Sequence, residues 1–136
     1  MPAPVTLVCD VDHTVLDDDD TTRALAAAVT PLRDRGRLRF VLNSSRFVDS
    51  IADSVRTTPL ATPDFVIGGM GTQITRWDAD REIPVACATG EAWAARLGAG
   101  FDADTIDRLI AEHAGDASGF RMHDAGSLSP LKRSFD

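Results

Sequence analysis

The start of the chain passes from an apolar stretch to a segment of helical periodicity. Residues 5–9 are apolar or β-branched with almost no alternation, which predicts a strand buried on both faces of a parallel sheet. From about Thr21 the apolar residues recur at i, i+3, i+4 and i+7, which predicts an amphipathic helix. Asp20 or Thr21 can cap the start of this helix, and Gly36 can end it.

The same order of elements repeats in the next part of the chain. Residues 38–42 form a second apolar run, and Phe47, Ile51 and Val55 follow at a spacing of four, as in a second helix. A loop with two prolines precedes a third apolar run at residues 65–67. This order of strands and helices predicts a right-handed, doubly wound α/β fold, with a three-layer, Rossmann-like parallel sheet core.

Beyond Gly71 the pattern weakens. Residues 72–76 alternate like an edge strand or a hairpin, whereas residues 77–88 have no clear period. Two short helices and two strand starts are predicted further on, at residues 91–97, 104–114, 120–123 and 131–135. A helix pair with strands is typical of a small α+β layer.

The composition fits one ordinary domain, because 43% of the 136 residues are hydrophobic and 26% are charged. The net charge of −7 argues against a nucleic-acid or anionic-membrane surface, which needs clustered positive charge. Cys9 and Cys87 match neither a disulfide framework nor a zinc motif, and Cys9 is predicted to be a small buried core residue. Without a bilayer-length apolar run or a signal peptide, we expect a cytoplasmic protein.

Candidate chemistry is concentrated at the carboxyl ends of the first two predicted strands. Asp10 and Asp12 follow the first strand, and Asn43, Ser44 and Arg46 follow the second. In an open parallel sheet, ligands bind at such strand ends. Two carboxylates this close need a compensating cation or proton, and oxygen ligands beside a phosphate group suit Mg²⁺. The pattern permits transfer of a phosphoryl group to a carboxylate, with a neighbouring acid that protonates the leaving group.

Each of these residues also has an ordinary structural explanation. An Asp at a strand end often caps a turn, and Ser44 or Ser45 can be the N-cap of the next helix. The combination of a buried strand, the pattern D-x-D-x-T, a helix, a strand and a polar turn favours a functional site instead. The acidic run Asp17–Asp20 is interpreted as a solvated loop rather than a second metal site. For Trp77 and Trp93, packing is favoured over stacking on a sugar.

Three segments carry a family resemblance: residues 10–16 (DVDHTVL), residues 43–46 (NSSR), and residues 63–67 (PDFVI) together with 71–74 (GTQI). The first segment resembles motif I of the haloacid dehalogenase superfamily of phosphohydrolases, and the second resembles its motif II. The third segment, together with His13 and the acidic run that follows it, is most similar to the sucrose-phosphate phosphatase branch. The resemblance covers residues 5–76 well and is faint in the rest of the chain.

The resemblance implies a role for each residue of the two motifs. Asp10 is then the nucleophile that becomes an aspartyl phosphate, and Asp12 protonates the leaving alcohol and later activates water. Thr14 steadies the loop, Ser44 binds the transferred phosphoryl group, and Arg46 faces the substrate. Mg²⁺ is held by the Asp10 carboxylate and the Asp12 backbone carbonyl. The residues implied in phosphate or substrate binding are Thr14, Asn43, Ser44 and Arg46.

The chain departs from the family pattern at three points. His13 and Ser45 stand where most members have Gly. The family also uses a basic residue and a second acidic pair that follow its cap domain, and this sequence contains neither of them in that place. Lys132 and Arg133 lie where the cap is expected, so neither is assigned to the missing basic role.

Two functions of different class follow from these observations. The resemblance implies an Mg²⁺-dependent phosphatase that hydrolyses a phosphorylated sugar or sugar-like small molecule, with sucrose phosphate first among the substrates. The alternative is a non-catalytic or truncated module that binds phosphate or metal. By the same resemblance the chain looks like the N-terminal part of such a phosphatase, with residues 1–78 as the first part of the core and residues 79–136 as a partial α+β cap of the C2 type.

Overall fold

The computed structural model describes residues 3–114 and 128–133, in which five strands and four helices are present. Their bounds, in chain order, are β1 (Val5–Asp10), α1 (Asp19–Asp34), β2 (Leu38–Asn43), α2 (Val48–Thr57), β3 (Phe65–Gly68), β4 (Gln73–Asp78), β5 (Ile83–Val85), α3 (Ala88–Gly98) and α4 (Ala103–Ala114). A short 3-10 turn, Gly69–Gly71, joins β3 to β4. No helix in the described ranges is long and apolar enough to cross a bilayer.

The five strands form one mixed sheet in the order β1-β2-β3-β4-β5. β1, β2 and β3 are parallel to one another, as predicted, and each is joined to the next through a helix. β4 runs antiparallel to β3, and β5 antiparallel to β4, so the predicted hairpin after Gly71 is present. The α/β class is thus confirmed, with a sheet that is mixed because its last two strands return as a hairpin.

The hydrophobic core lies between one face of the sheet and the helices α1 and α2. Because side chains alternate along a strand, the register of β1, β2 and β3 aligns Leu7 with Phe40 and Cys9 with Leu42 on that face. Both crossover connections step in the same direction along the sheet, and right-handed connections of this kind bring α1 and α2 to the same side. The fully packed members of this core include Val29, Phe40, Leu42, Ile51, Ala52 and Val66.

The first strand differs from its prediction. Val8 lies on the opposite face of the sheet and is 55% exposed, so residues 5–9 are not buried on both faces. Cys9 is only half-buried rather than fully buried, and this burial raises the pKa of its thiol. The reason is position, because β1 is the edge strand of the sheet that the described residues form and has a neighbouring strand on one side only.

Most of the acidic run Asp17–Asp20 belongs to the start of α1 rather than to a loop. Asp18 is the N-cap, and its carboxylate accepts hydrogen bonds from the backbone amides of Asp20 and Thr21. The prediction that Asp20 or Thr21 caps this helix was therefore wrong, and of the run only Asp17 precedes the cap. Hydrogen bonds from the Thr21 hydroxyl and from backbone amides hold the pKa of the Asp18 carboxyl below its ordinary value. Gly36, with φ of 66°, follows the end of α1 as predicted.

The later elements are placed by β4. The two predicted helices are present, although α3 begins at Ala88 and therefore earlier than residue 91. Gly90 lies so close to the carbonyl of Ile74 that a Cβ atom at this position would overlap the carbonyl oxygen. The strand start predicted at residues 120–123 lies outside the described residues. A second strand start was predicted at residues 131–135. Its described part belongs to a turn that is closed by a Ser129–Lys132 bridge.

Candidate active site

The ends of β1 and β2 bring the predicted site residues to one edge of the sheet. Asp10 is the last residue of β1, and its register partner is Asn43, the last residue of β2. Ser44 follows β2 directly, and Asp12 lies in the loop after β1, with Val11 between it and the strand end. The carboxyl ends of parallel strands lie at the same edge of the sheet. Residues more than thirty positions apart in the sequence are therefore neighbours in the fold.

The loop after β1 is a tight turn anchored by two buried valines. The amides of Val15 and Leu16 donate to the carbonyl of Val11, at 3.2 and 2.9 Å. The Thr14 hydroxyl donates to Asp10 Oδ2 at 3.1 Å and lies 3.4 Å from the Asp12 carbonyl oxygen. Thr14 therefore links the two acidic residues, and the steadying role that the resemblance implies for it stays a prediction.

His13 occupies the left-handed region of backbone space, with φ of 56°, and its side chain is exposed. A Cβ atom is strained in this region, and Gly tolerates it best. Most members of the resembled family have Gly at this position, and a left-handed backbone is a physical reason for that preference. This conformation also turns His13 away from the protein interior, in a position to project into solvent.

Asp12 is held by two partners from the loop after β2. The Arg46 guanidinium forms an ion pair with Asp12 Oδ1, and the Ser44 hydroxyl donates to Asp12 Oδ2 at 3.4 Å. A second arm of the guanidinium donates to Ser54 Oγ in α2 at 3.0 Å. The Arg46 and Asp12 side chains are 36% and 35% exposed, so solvent screens part of this attraction. Asp10 has no basic partner among the described residues, which leaves its second carboxylate oxygen available.

The turn that carries Ser44 is fixed by the end of β3. Ser44 is buried; its amide donates to the Ile67 carbonyl at 3.0 Å, and its own carbonyl accepts from Met70 N at 3.3 Å. Gly69 N donates to the Arg46 carbonyl at 2.7 Å, and Arg46 N donates to Ser44 Oγ at 3.1 Å. The hydroxyl of Ser44 is thereby oriented by the backbone toward Asp12.

Close backbone approach around this turn depends on Gly68. A Cβ atom there would lie 2.7 Å from Val48 N and 2.9 Å from the Arg46 carbonyl oxygen, both of which are backbone atoms. A glycine is therefore needed where β3 passes the start of α2. The sequence pattern showed this glycine only as the end of a strand.

Other residues beside the site were not predicted from the sequence. Ser54 binds Arg46 from the second turn of α2, and no local pattern indicates a contact between these positions. Met70 is 72% exposed with φ of 59°, so an apolar side chain projects beside the turn. Trp93 donates its indole N–H to the Gly71 carbonyl at 2.7 Å, whereas Trp77 is buried in the core, as the packing interpretation predicted.

Asn43 is the predicted site residue that the structure engages least. It is half-buried beside Asp10, and among the described residues its side chain makes no hydrogen bond with the Asp12, Ser44 and Arg46 network. Its placement at the strand end agrees with the sequence pattern. A contact with substrate remains a prediction for this residue.

The donor atoms at the edge suit a hard divalent cation. The Asp10 carboxylate and the backbone carbonyl of Asp12 can supply oxygen ligands, while the Asp12 carboxylate is already engaged by Arg46. No group of three or more His, Cys, Asp or Glu residues that could hold a metal occurs in the described ranges. Mg²⁺ commonly binds through one or two carboxylates and takes its other ligands from water and substrate phosphate. The residues present therefore fit Mg²⁺.

Comparison with known proteins assigns the chain to a family. A family model described as sucrose-6F-phosphate phosphohydrolase matches residues 3–136. The chain belongs to the sucrose-6F-phosphate phosphohydrolase family. The predicted resemblance to the sucrose-phosphate phosphatase branch is thereby confirmed.

Individual relatives agree with this family. The chain is 34% identical over 107 residues to mannosylfructose-phosphate phosphatase from Agrobacterium fabrum, a match that covers 76% of this chain and 40% of the relative. A sucrose-phosphatase structure from Synechocystis sp. PCC6803, in complex with sucrose and phosphate, has a TM-score of 0.71 at 21% identity, covering 99% of this chain and 49% of that one. A haloacid dehalogenase-like hydrolase from Bacillus subtilis has a TM-score of 0.62 at 15% identity, covering 98% of this chain and 60% of that one. At these identities the two structures show the fold alone, and the chain spans half or less of the phosphatases that it matches.

Proposed function

We propose that this chain is the nucleophile-bearing part of an Mg²⁺-dependent phosphatase that hydrolyses a phosphorylated sugar through an aspartyl phosphate. The observation that carries the proposal is the contrast between two neighbouring acids. Asp10 has an available carboxylate oxygen, whereas Asp12 is held by Arg46 and Ser44 two residues away. A nucleophile and a separate proton carrier are what this reaction requires.

In the first step, the available oxygen of Asp10 attacks phosphorus, and the bond between phosphorus and the sugar oxygen breaks. The electron pair of that bond goes to the sugar oxygen, which takes a proton from Asp12. During the transfer the Ser44 hydroxyl turns its one proton from Asp12 Oδ2 to a phosphoryl oxygen, and its oxygen still accepts from Arg46 N. Mg²⁺, when it is bound by the Asp10 carboxylate and the Asp12 carbonyl, offsets negative charge on the phosphoryl group.

In the second step, water attacks the phosphorus of the aspartyl phosphate and gives a proton to the Asp12 carboxylate. The bond between phosphorus and the Asp10 oxygen breaks, which restores the carboxylate and releases inorganic phosphate. Arg46 supports both steps by holding Asp12 in one orientation, since it binds Asp12 with one arm and Ser54 with another. The ion pair favours the carboxylate form of Asp12, which accepts the proton in the second step; in the first step Asp12 carries the proton, and the attraction of Arg46 is weaker.

The substrate class that we propose is the phosphate ester of a disaccharide. The family description names sucrose-6F-phosphate, and the Agrobacterium relative is named for mannosylfructose-phosphate. Sucrose and mannosylfructose are both disaccharides that contain fructose, so a phosphorylated disaccharide of this kind is the first substrate to test.

A second candidate is a module that binds phosphate or metal without turnover. The ion pair between Arg46 and Asp12 favours it, because a proton carrier fixed as a carboxylate must lose part of this contact to act as an acid. Both candidates share the same turn and the same acids.

The experiment that separates them compares Asp10→Asn with Asp17→Asn. Both changes remove one exposed carboxylate, that of Asp10 at the end of β1 or that of Asp17 in the loop that follows, but only Asp10 bonds to Thr14. With sucrose 6-phosphate or an aryl phosphate and Mg²⁺, phosphate release should fall about a thousandfold or more in Asp10→Asn and little in Asp17→Asn. Turnover that survives Asp10→Asn would refute the aspartyl-phosphate route, and a wild-type rate at background would favour the binding module.

The division of the chain at residue 78 and the cytoplasmic location stay predictions. We propose a boundary slightly later than the sequence pattern suggests, because β5 pairs with β4 in the same sheet. Residues from Ala88 onward then form the beginning of the second, α+β layer. Limited proteolysis between β5 and α3 tests this boundary.

A further inference from the structure

Lys132 is the only lysine in the sequence, and its side chain reaches the turn that carries Ser44. Its ammonium donates to the Ser45 carbonyl at 3.2 Å and lies 4.7 Å from the centre of the Phe47 ring. Ser45 and Phe47 flank Arg46 on either side. A residue from the end of the described chain therefore contacts the loop between β2 and α2.

The backbone around Lys132 is held in place from the other side. Its amide and carbonyl bond to the Ser129 carbonyl and amide, at 3.2 and 3.1 Å. The neighbouring Arg133 forms three hydrogen bonds with the Asp107 carboxylate of α4, at 2.9, 3.2 and 3.2 Å. The Arg133 side chain is only 17% exposed, so this anchor is well shielded. Lys132 thus spans from a fixed turn on α4 to the loop after β2.

The contact with Ser45 continues through one peptide group to the candidate catalytic acid. The Ser45 carbonyl and the Arg46 N–H belong to the same trans peptide and point in opposite directions. On one side the carbonyl accepts from Lys132; on the other the N–H donates to Ser44 Oγ at 3.1 Å. Ser44 Oγ in turn donates to Asp12 Oδ2 at 3.4 Å.

Hydrogen bonds linked in this way polarise one another. A cation on the Ser45 carbonyl makes the Arg46 N–H a stronger donor, and it resists rotation of that peptide. The orientation of the Ser44 hydroxyl depends on this N–H, because the donor fixes which lone pair of the oxygen is used. The face of the Phe47 ring adds a second attraction for the same ammonium.

We propose that Lys132 is a positioning residue of the phosphate site: it fixes the Ser45–Arg46 peptide and, through it, the Ser44 hydroxyl. The inference rests on the proposed function only in the role of Ser44, which is to bind a phosphoryl oxygen. Lys132 itself does not touch substrate in this arrangement. Its effect on affinity for phosphate is transmitted by the hydrogen-bonded chain.

The test compares Lys132→Met with Arg96→Met and Lys132→Arg. Arg96 is also a cation beside an aromatic ring, 6.0 Å from the centre of Trp93, but it makes no contact with the Ser44 turn in the described residues. Lys132→Met should raise the Kd for inorganic phosphate by about three- to tenfold, the range of one hydrogen bond. We expect KM for substrate to rise by the same factor with little change in kcat, because the contact is present before and during transfer.

Lys132→Arg should restore phosphate affinity to within about twofold, since a guanidinium can donate to the carbonyl and stack on Phe47. Arg96→Met should leave it unchanged. A merely structural role for Lys132 predicts a lower Tm with unchanged phosphate affinity in the folded protein, and that result would overturn the proposal. Equal effects of Lys132→Met and Arg96→Met would overturn it too.

A spectroscopic measurement gives a readout apart from turnover. Selective ¹³C-labelling of lysine yields a single labelled side chain in this sequence. Its Cε signal should shift when inorganic phosphate is added to the wild type and stay still in Ser44→Ala. If Asp10→Asn loses turnover but Lys132→Met leaves the Kd for inorganic phosphate unchanged, the positioning role is refuted and the proposed enzyme is not. If Lys132→Met weakens phosphate binding but the wild type shows no turnover, the positioning role is supported and the proposed enzyme is refuted.

Discussion

The sheet with its two covering helices and the region from α3 onward are held together by different forces. The buried hydrophobic side chains of the described residues all lie between Val11 and Trp77. From α3 onward, Gly90 is the only buried residue in the described part, and Leu109 is 40% exposed. Burial of apolar surface is the main driving force of folding, so the first region has its own source of stability and the second has little.

The second region is placed by polar contacts instead. Arg133 bonds to Asp107, Trp93 bonds to Gly71, and Lys132 bonds to Ser45. Such contacts are directional, but each contributes little net free energy in water. The candidate acids and the Ser44 turn lie in the first region, so the site is formed by the stable part. The second region adjusts it from outside.

The largest expected effect comes from truncating an apolar residue in each region. Ile51→Ala removes a fully buried side chain of α2, and we expect the free energy of unfolding to fall by about 2–5 kcal/mol. Leu109→Ala removes a side chain of similar size from α4 that is partly in solvent, and a loss of about 0.5 kcal/mol is expected. Urea unfolding followed by far-UV circular dichroism measures both.

These two variants test whether the two regions differ in how tightly their apolar side chains are packed. Equal losses in Ile51→Ala and Leu109→Ala would mean that α4 is packed as tightly as α2, contrary to its exposed apolar face. A change in the urea m-value of only one variant would instead indicate separate unfolding of the two regions.

A smaller effect is expected at the junction between the regions. Gly90→Ala forces a methyl group against the Ile74 carbonyl, and overpacking of this kind costs about 1–3 kcal/mol. Gly98→Ala, near the other end of α3, meets only Leu131 at 3.8 Å, an ordinary contact, and should be neutral or slightly stabilising. Hydrogen exchange of the α3 amides should accelerate in Gly90→Ala and not in Gly98→Ala.

Hydrogen exchange in β4 shows whether α3 can be displaced without loosening the sheet. If α3 is simply displaced, exchange in β4 and in the first region should stay as in the wild type. Faster exchange throughout the sheet in Gly90→Ala would show that the two regions form one cooperative unit, and their separation by stability would be wrong.

Much of the first region could be predicted from the sequence, because its signals are local. Residues 38–42 and the spacing of Phe47, Ile51 and Val55 predicted β2 and α2 closely, since a strand or helix with one buried face has a clear period. The pattern D-x-D-x-T and the loop after the second strand predicted that the candidate residues lie at one edge of the sheet, and the register of β1 and β2 brings them there. β5 was missed because Ile83–Val85 is short and contains a proline, and its pairing is supplied by β4.

The contacts that complete the site could not be predicted in the same way. The ion pair between Asp12 and Arg46 joins residues 34 positions apart, and the contact between Ser45 and Lys132 joins residues 87 positions apart. Neither spacing has a periodic signature, because the fold alone brings these atoms together. The cap of α1 was missed for another reason: in a run of four aspartates, each one is a chemically suitable N-cap.

The smallest expected effect compares the caps of α1 and α4. Asp18 and Asp102 each accept hydrogen bonds from the hydroxyl and the amide of a threonine three residues later, and these bonds lower the pKa of both carboxyls. A lowered pKa in the folded state means that the ionised cap stabilises the fold above the ordinary value of about 3.9. That contribution is lost as the pH falls through the lower, folded-state pKa.

Asp18→Ala should therefore lower the Tm at pH 7 slightly, and the difference from wild type should shrink on acidification. Asp102→Ala should leave the Tm nearly unchanged at every pH, because α4 contributes little to the core, and should accelerate exchange of the first α4 amides instead. Thermal unfolding at pH 7 and pH 3, with amide exchange at pH 7, measures both effects. If Asp102→Ala lowers the Tm as much as Asp18→Ala does, α4 is part of the same cooperative unit as α1, and polar placement of the second region no longer explains its stability.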